Sequence, residues 1–180
     1  MQQGLTLRRA SPNDYEHWAA MFDSYRLGAG LEASNPVAVR LWEWIIDPGV
    51  AVDALLAESD GTLLGFAHYR RFPRPIMADE GLFLDDLFTV QEARGRGVAR
   101  ALLDRLVVET NSGGFALLRW TTKPGNAAAR RLYDSYATVA ESVTYNVMAG
   151  NYASRVISTR TNSVEPNGPA YTPRSGGTSL

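Results

Sequence analysis

The chain contains 180 residues, of which 45% are hydrophobic and 10% aromatic, a composition that suits one globular domain and argues against intrinsic disorder. Its formal net charge of −1 provides no overall field that would attract nucleic acid or an anionic membrane, so neither partner is expected. Cysteine is absent, which excludes disulfides, thiolate metal sites and a cysteine nucleophile. Because no apolar run is long enough to span a membrane and no basic-then-apolar leader occurs, we expect a cytoplasmic protein.

The first part of the chain predicts a strand followed by two helices. Alternation favours a strand over Leu5 to Arg9, and Ser11 and Pro12 supply capping chemistry for a helix. Within that helix, Trp18, Met21, Phe22 and Tyr25 share one face that we expect to be core, with Tyr25 the member that leaves the core. A second helix is predicted over residues 36–46, where Trp42 and Trp44 must point in different directions.

The rest of the chain predicts strands that alternate with helices. Asp60 and Gly61 are typical of a hairpin turn between strands over residues 50–58 and 63–71, after which Arg70 to Pro75 are expected to form a basic loop. Residues 150–180 are rich in Ser, Thr, Asn, Gly and Pro, and are interpreted as a flexible tail. The other predicted elements are a central strand over 82–90, a helix over 98–110, a strand over 115–122, a helix over 126–136 and a last strand over Val139 to Met148.

A turn rich in glycine and arginine follows the central strand. Gly95 and Gly97 let the main chain approach an anion, Arg94 and Arg96 add positive charge, and the helix start leaves N–H groups unpaired. The turn therefore predicts a pyrophosphate site. A nucleoside-triphosphate loop is excluded because no Lys and Ser or Thr follow Gly97, and a dinucleotide fingerprint is excluded because position 100 is an arginine.

Two blocks of the sequence resemble the GNAT superfamily of N-acetyltransferases. The pattern Arg/Gln-x-x-Gly-x-Gly/Ala is filled by Arg94, Gly97 and Ala99, and a later Asn-x-x-Ala-x-x-x-Tyr arrangement is filled by Asn126, Ala129 and Tyr133. The segment around the second block resembles the bacterial histone/polyamine acetyltransferase branch. The order of the predicted elements, β-α-α-β-β-β-α-β-α-β, gives an α/β fold with a mixed central sheet and helices on both faces. The superfamily fold runs in the same order, which implies an acetyltransferase domain over residues 1–149.

The resemblance also implies acetyl-CoA as the co-substrate. It assigns the pantetheine arm to main-chain groups of Leu87, Phe88 and Val90, which a break in pairing with the next strand would free. It assigns the pyrophosphate to the turn, and gives Asn126 a cofactor contact alongside its role as a helix cap. The implied turn residues are Arg94, Gly95, Arg96, Gly97, Val98 and Ala99.

Acetyl transfer to an amine requires a group that accepts a proton. A lysine-like ammonium has a pKa of about 10.4, so only about one molecule in a thousand is nucleophilic at neutral pH. Asp85 and Asp86 lie on the central strand and should face opposite sides of the sheet. Resemblance points to Asp85 as the catalytic base, acting directly or through a water, although both carboxylates could instead be structural.

Resemblance makes Tyr133 the proton donor to the departing thiolate, with a core tyrosine as the alternative. Tyr25, at the exit of its helix, is predicted to contact the acceptor, and resemblance places either Glu32 or an exposed tryptophan in the acceptor pocket. No metal site is expected, because His17 and His68 have no ligand spacing around them and are typical of surface or sheet residues.

The sequence therefore predicts an acetyl-CoA-dependent enzyme that acetylates a primary amine of a small molecule, either a polyamine or an amino acid. A peptide or protein acceptor is an alternative, as is a regulatory module that binds coenzyme A and engages a partner through its tail. A homodimer is also left open.

Overall fold

The computed structural model describes residues 4–147. The chain divides into two units, residues 1–137 and residues 138–180, and every helix and strand of the described residues lies in the first. These elements are β1 (Leu5–Arg9), α1 (Tyr15–Gly28), α2 (Asn35–Ile46), β2 (Val52–Ser59), β3 (Thr62–Arg74), β4 (Asp79–Thr89), α3 (Val98–Ser112), β5 (Leu118–Trp120) and α4 (Ala127–Tyr133), with 3-10 turns at Pro12–Asp14 and Gln91–Ala93.

One mixed sheet forms the centre of the first unit. Its strand order is β1-β2-β3-β4-β5; neighbours from β1 to β4 are antiparallel, whereas β4 and β5 are parallel. A parallel pair needs a crossover connection, and α3 supplies it. The predicted mixed α/β sheet is therefore confirmed.

Helices cover both faces of this sheet, as predicted. Successive strand residues point to opposite faces, so Leu55 and Leu56 belong to different cores. Leu55 packs with residues of α3, and Leu56 packs with residues of α1 and α2. The two cores hold the sheet between two layers of helices. The candidate site lies along β4.

The aromatic faces of α1 and α2 follow the helical period. Trp18, Met21 and Phe22 are buried, and Tyr25 at the end of the same face is only partly buried, as expected. Trp42 is 6% exposed and Trp44 is 43% exposed, because residues two apart cannot share one helical face. Both sequence-based expectations are confirmed.

The basic loop predicted at residues 70–75 is wrong, since β3 continues to Arg74. The register pairs Arg70 with Phe83 and Arg74 with Asp79, so the strand extends through Pro73. Proline is tolerated because the ladder with β2 ends at the pair Val52 and Arg70, which leaves an open edge on that side.

The last predicted strand is also wrong over residues 139–147, which form neither helix nor strand. Alternation of Val143, Tyr145 and Val147 shows which residues could share a face, but a strand also needs a partner for its main chain. Met148 and the predicted tail over 150–180 lie outside the described residues. Within residues 4–147, no helix combines the length and hydropathy needed to cross a membrane.

Candidate active site

An opening in the sheet lies between β4 and β5. The two strands pair only where Leu82–Leu84 face Leu118–Trp120, whereas β4 continues to Thr89. Among residues 4–147, the last five residues of β4 therefore have a strand neighbour only on the β3 side. The predicted break in pairing with the next strand is present, and it exposes one row of main-chain groups.

The register identifies which main-chain groups face this opening. The Val90 N–H donates to the Leu64 carbonyl at 3.0 Å, and hydrogen-bonded pairs alternate along an antiparallel ladder. Leu87 and Thr89 therefore direct their main-chain N–H and C=O groups away from β3, while those of Phe88 face β3. Of the three residues predicted to contact pantetheine, Leu87 directs its main-chain groups toward the opening, whereas Phe88 faces β3 and the Val90 N–H is bonded to Leu64.

Thr89 also lies at the opening and was not among the predicted site residues. Its main chain faces the opening, and Arg94 Nε approaches the Thr89 carbonyl at 3.4 Å. The Thr89 Oγ1 atom is buried without a hydrogen-bond partner in the described part of the chain. Once the pairing of β3 with β4 is known, the alternation of main-chain groups identifies Thr89 as facing the opening. The sequence alone does not reveal that pairing.

The turn between β4 and α3 contains two glycines in the left-handed region. Gly95 and Gly97 have φ angles of +72° and +83°, which residues with side chains rarely adopt, and a Cβ at either position would meet nothing within 4 Å. Among residues 4–147, no acceptor is bonded to the N–H groups of Gly95, Gly97, Val98 or Ala99. These amides lie at the positive end of the α3 dipole, an arrangement suited to an anion.

A β-bulge at Asp85 changes the direction of the two aspartates. His68 pairs with Asp86 and Tyr69 pairs with Leu84, so Asp85 has no residue opposite it. Asp86 contacts His68 and Asp85 contacts Arg70, two residues that lie on the same face of β3. The prediction that the aspartates face opposite sides is wrong, because the inserted residue resets the alternation.

Asp86 is held by a chain of hydrogen bonds. Tyr25 donates its hydroxyl to Oδ1 at 2.5 Å, and His68 Nδ1 lies 2.9 Å from Oδ2. Trp18 donates its indole N–H to His68 Nε2 at 2.9 Å, so Nδ1 is the nitrogen that carries the proton toward Asp86. Burial raises the pKa of Asp86, but the bonds from His68 and Tyr25 outweigh it and the net pKa is lowered.

Asp85 has a different environment. Its partner is Arg70, whose Nε lies 3.0 Å from Oδ2, and both side chains are partly exposed. Burial raises the pKa of Asp85 in spite of Arg70, and the charge of Asp86 adds to the increase. The two neighbouring carboxylates are therefore shifted in opposite directions, and Asp85 is the better proton acceptor of the pair.

Tyr133 lies at the end of α4, with its ring centroid 5.3 Å from that of Trp120 on β5. Burial raises its pKa, and within residues 4–147 its hydroxyl forms no hydrogen bond. Burial, the bond to Asp86, and the charges of Asp86, Tyr133 and Asp85 all raise the pKa of Tyr25. The neutral phenol of Tyr25 is therefore favoured beside Asp86.

Two further predicted site residues have structural contacts. Asn126 caps α4, since its Oδ1 accepts from the Ala129 N–H at 3.3 Å. Glu32 lies in the loop after α1, where its carbonyl accepts from Arg26 Nε at 2.9 Å. The structure does not join the Glu32 side chain to the other predicted site residues.

Comparison with known proteins identifies the family to which the sequence belongs. A sequence model described as the acetyltransferase (GNAT) family matches residues 15–137. The chain belongs to the GNAT family. The match covers every element from α1 to α4, and GNAT enzymes transfer the acetyl group of acetyl-CoA. The chain is therefore an N-acetyltransferase that uses acetyl-CoA.

Individual GNAT proteins resemble the chain over most of its length. The D-amino-acid N-acetyltransferase HPA3 of Saccharomyces cerevisiae is 27% identical over 143 residues, which cover 78% of this chain and 89% of that protein. The L-2,4-diaminobutyric acid acetyltransferase of Streptomyces avermitilis is 29% identical over 139 residues, covering 76% and 72% respectively. The aminoglycoside N-acetyltransferase AAC(6')-Iy, solved in complex with CoA, has the same fold, with a TM-score of 0.70 and 19% identity over 83% of this chain and 99% of that one.

Within the described residues of this GNAT chain, no group of three or more His, Asp or Glu side chains is arranged to hold a metal ion.

The surroundings of the two aspartates include three residues that were not predicted as site residues, namely Trp18, His68 and Arg70. Sequence reasoning could place His68 and Arg70 on one face of a strand, but the bulge that brings Asp85 and Asp86 to that face has no local signature.

Proposed function

We propose that this N-acetyltransferase moves the acetyl group directly from acetyl-CoA to a primary amine of a small molecule. The observation that carries the proposal is the sheet opening beyond Leu84, which runs from the unpaired amides of the turn at Gly97 toward the carboxylate of Asp85. One end of the opening suits an anion and the other suits a cation. Because the cofactor and the amine could both lie along this opening, the acetyl group could pass directly between them in a ternary complex. No covalent enzyme intermediate would then be needed.

The cofactor would lie along β4 and the turn. Main-chain groups of Leu87 and Thr89 would bond the pantetheine amides, in place of the pair Phe88 and Val90 suggested by resemblance. The pyrophosphate would accept hydrogen bonds from the amides of Gly95, Gly97, Val98 and Ala99, with Arg94 and Arg96 adding charge. Asn126 would act mainly by holding the start of α4 and, through it, Tyr133.

Asp85 would accept the proton of the ammonium. Its raised pKa brings the carboxyl nearer to neutrality, where a base is more effective, and its position on the bulge leaves it partly exposed. Asp86 is less suited because both of its oxygens already accept hydrogen bonds. We assign Asp86 and Tyr25 to shaping the acceptor side of the pocket, with Glu32 as a further contact from the loop after α1.

Tyr133 would protonate the departing thiolate. The conjugate acid of such a thiolate resembles a cysteine side chain, with a pKa of about 8.5, so a phenol held at hydrogen-bond distance can assist its departure. The absence of another partner for this hydroxyl among residues 4–147 supports the role, because the proton is not committed elsewhere. After transfer, the phenol would regain a proton from solvent.

The class of acceptor is supported by the activities for which the two relatives are named. One is a D-amino-acid N-acetyltransferase and the other a diaminobutyric acid acetyltransferase, so both act on small amines that carry a carboxylate. We therefore place the acceptor among amino acids or polyamines rather than among proteins.

A screen of amines with acetyl-CoA, read by release of free thiol, tests this proposal. Saturable turnover with small amines and little with peptides or proteins is the expected result. Thiol release that does not depend on any amine would instead indicate thioester hydrolysis, and binding of coenzyme A with no turnover would favour a regulatory module.

A further inference from the structure

We propose that Arg70 and Asp85 together bind the zwitterion of an α-amino acid, with Arg70 holding its carboxylate and Asp85 its ammonium. This inference rests on the proposed function and narrows the acceptor from small amines in general to those that carry a carboxylate beside the amine.

The ion pair presents both charges at one place. Arg70 Nε lies 3.0 Å from Asp85 Oδ2, and the two side chains are 41% and 35% exposed. In an α-amino acid, a single carbon separates the ammonium from the carboxylate, so a receptor for both charges needs opposite charges side by side. The pair Arg70 and Asp85 has that arrangement.

The pair is also placed to open for a ligand. An ion pair in contact with water is weak, so a second carboxylate can compete for the guanidinium at little cost. The Arg70 guanidinium lies 4.8 Å from the centroid of the Phe83 ring, which holds its planar group in place while its other N–H donors stay available. Binding of a substrate carboxylate to these donors would leave an Asp85 oxygen for the ammonium.

The groups around Arg70 and Asp85 argue against Asp86 as the site of the ammonium and against a polyamine as the substrate. Asp86 is occupied on both oxygens by Tyr25 and His68, so it does not compete for the ammonium. A polyamine brings a second cation toward Arg70, where repulsion opposes it, and it offers no anion in return. The charge pattern therefore favours amino acids over polyamines.

Substrate pairs that differ only in the carboxylate test this inference. Each amino acid of a panel of D- and L-forms would be compared with its own amide, using purified full-length protein and acetyl-CoA. Arg70→Met removes the charge and keeps an apolar stem over Phe83. We expect it to lower kcat/KM for the acids by about 10- to 100-fold, as for the loss of a hydrogen bond to a charged group, and to change kcat/KM for the amides little. The readout is the change in the acid-to-amide ratio, because an amide also alters the basicity of the amine.

Arg71→Met is the matched control. Arg71 is the next residue of β3, lies on the opposite face and stacks over Phe115 at 5.7 Å. The Arg71→Met variant should leave the ratio of kcat/KM for the acids to kcat/KM for the amides unchanged. Thermal stabilisation of each variant by coenzyme A verifies that it is folded.

Equal losses for acids and amides in Arg70→Met would overturn the inference, since Arg70 would then only position Asp85. An unchanged ratio with unchanged activity would overturn it as well. Both results would leave the acetyltransferase proposal standing, whereas a protein that acetylates no amine would remove that proposal and the inference together.

Discussion

The Tyr25 hydroxyl donates a 2.5 Å hydrogen bond to Oδ1 of Asp86 and thereby joins α1 to the central strand. The bond closes a chain that begins at the indole of Trp18 and passes through His68. Asp86 is thus fixed by two donors directly beside the bulge that presents Asp85. The geometry of Asp85, the proposed base, therefore depends on an aromatic face of a helix that is distant in sequence.

Replacing Tyr25 by Phe should destabilise the fold. The variant removes a donor from a largely buried carboxylate, and hydrogen bonds to charged groups contribute about 1.5–3 kcal/mol. We expect a loss of about that size in the free energy of unfolding, measured by urea denaturation. Tyr15→Phe is a suitable control, because its hydroxyl bonds Asn35 at an exposed site, 3.2 Å away. Equal stability of the Tyr25 variant and the control would contradict the network described here.

Replacing Tyr133 by Phe should separate chemistry from binding. The phenol is expected to donate a proton only as the thiolate leaves, so kcat should fall by about tenfold or more, up to the roughly 10²- to 10⁴-fold that general acids contribute. The dissociation constant for acetyl-CoA should change little, as isothermal titration would show. Unaltered turnover in this variant would remove the assigned role.

Asp85→Asn should abolish the acid limb of the pH profile. A base must be deprotonated to act, so the rate rises with pH through the pKa of Asp85, which burial raises from its ordinary value. The expected loss in kcat is about 10²- to 10⁴-fold. Profiles of kcat against pH for both enzymes give the test, and Asp86→Asn should lower stability while keeping the limb. A limb that persists in Asp85→Asn would assign it to another group.

Gly97→Ala should weaken binding of acetyl-CoA. With φ at +83°, an alanine costs about 1–2 kcal/mol or shifts the main chain, which would misdirect the amides at the start of α3. We expect the dissociation constant to rise by about tenfold, corresponding to 1.4 kcal/mol. Gly114→Ala is the matched control, since Gly114 has a φ of +71° and equally open surroundings at the other end of α3. It should lose similar stability without losing affinity; equal affinities in the two variants would argue against the turn as the cofactor site.

Features that depend on a few neighbouring residues could be predicted from the sequence. The helical face of Trp18 and the cap at Asn126 each follow from local chemistry. The mixed sheet followed from the order of elements, and the break between β4 and the next strand followed from resemblance.

Features that depend on strand register could not be predicted. The bulge at Asp85 is a relation between β3 and β4, and it reverses the direction that simple alternation gives to one of the aspartates. The same register decides that Thr89, and not Phe88, faces the opening. Residues 139–147 alternate as a strand would, yet alternation carries no information about a partner for the main chain.

The central claim is that coenzyme A lies in the opening between β4 and β5 with its pyrophosphate on the turn. A titration of ¹⁵N-labelled protein with coenzyme A, followed by amide resonances, measures this directly. The account predicts that the amides of Leu87, Thr89, Gly95, Gly97 and Val98 shift together and saturate at one affinity, while those of β1 and β2 do not move. Saturable shifts confined to other parts of the chain, with these five amides unchanged, would contradict it.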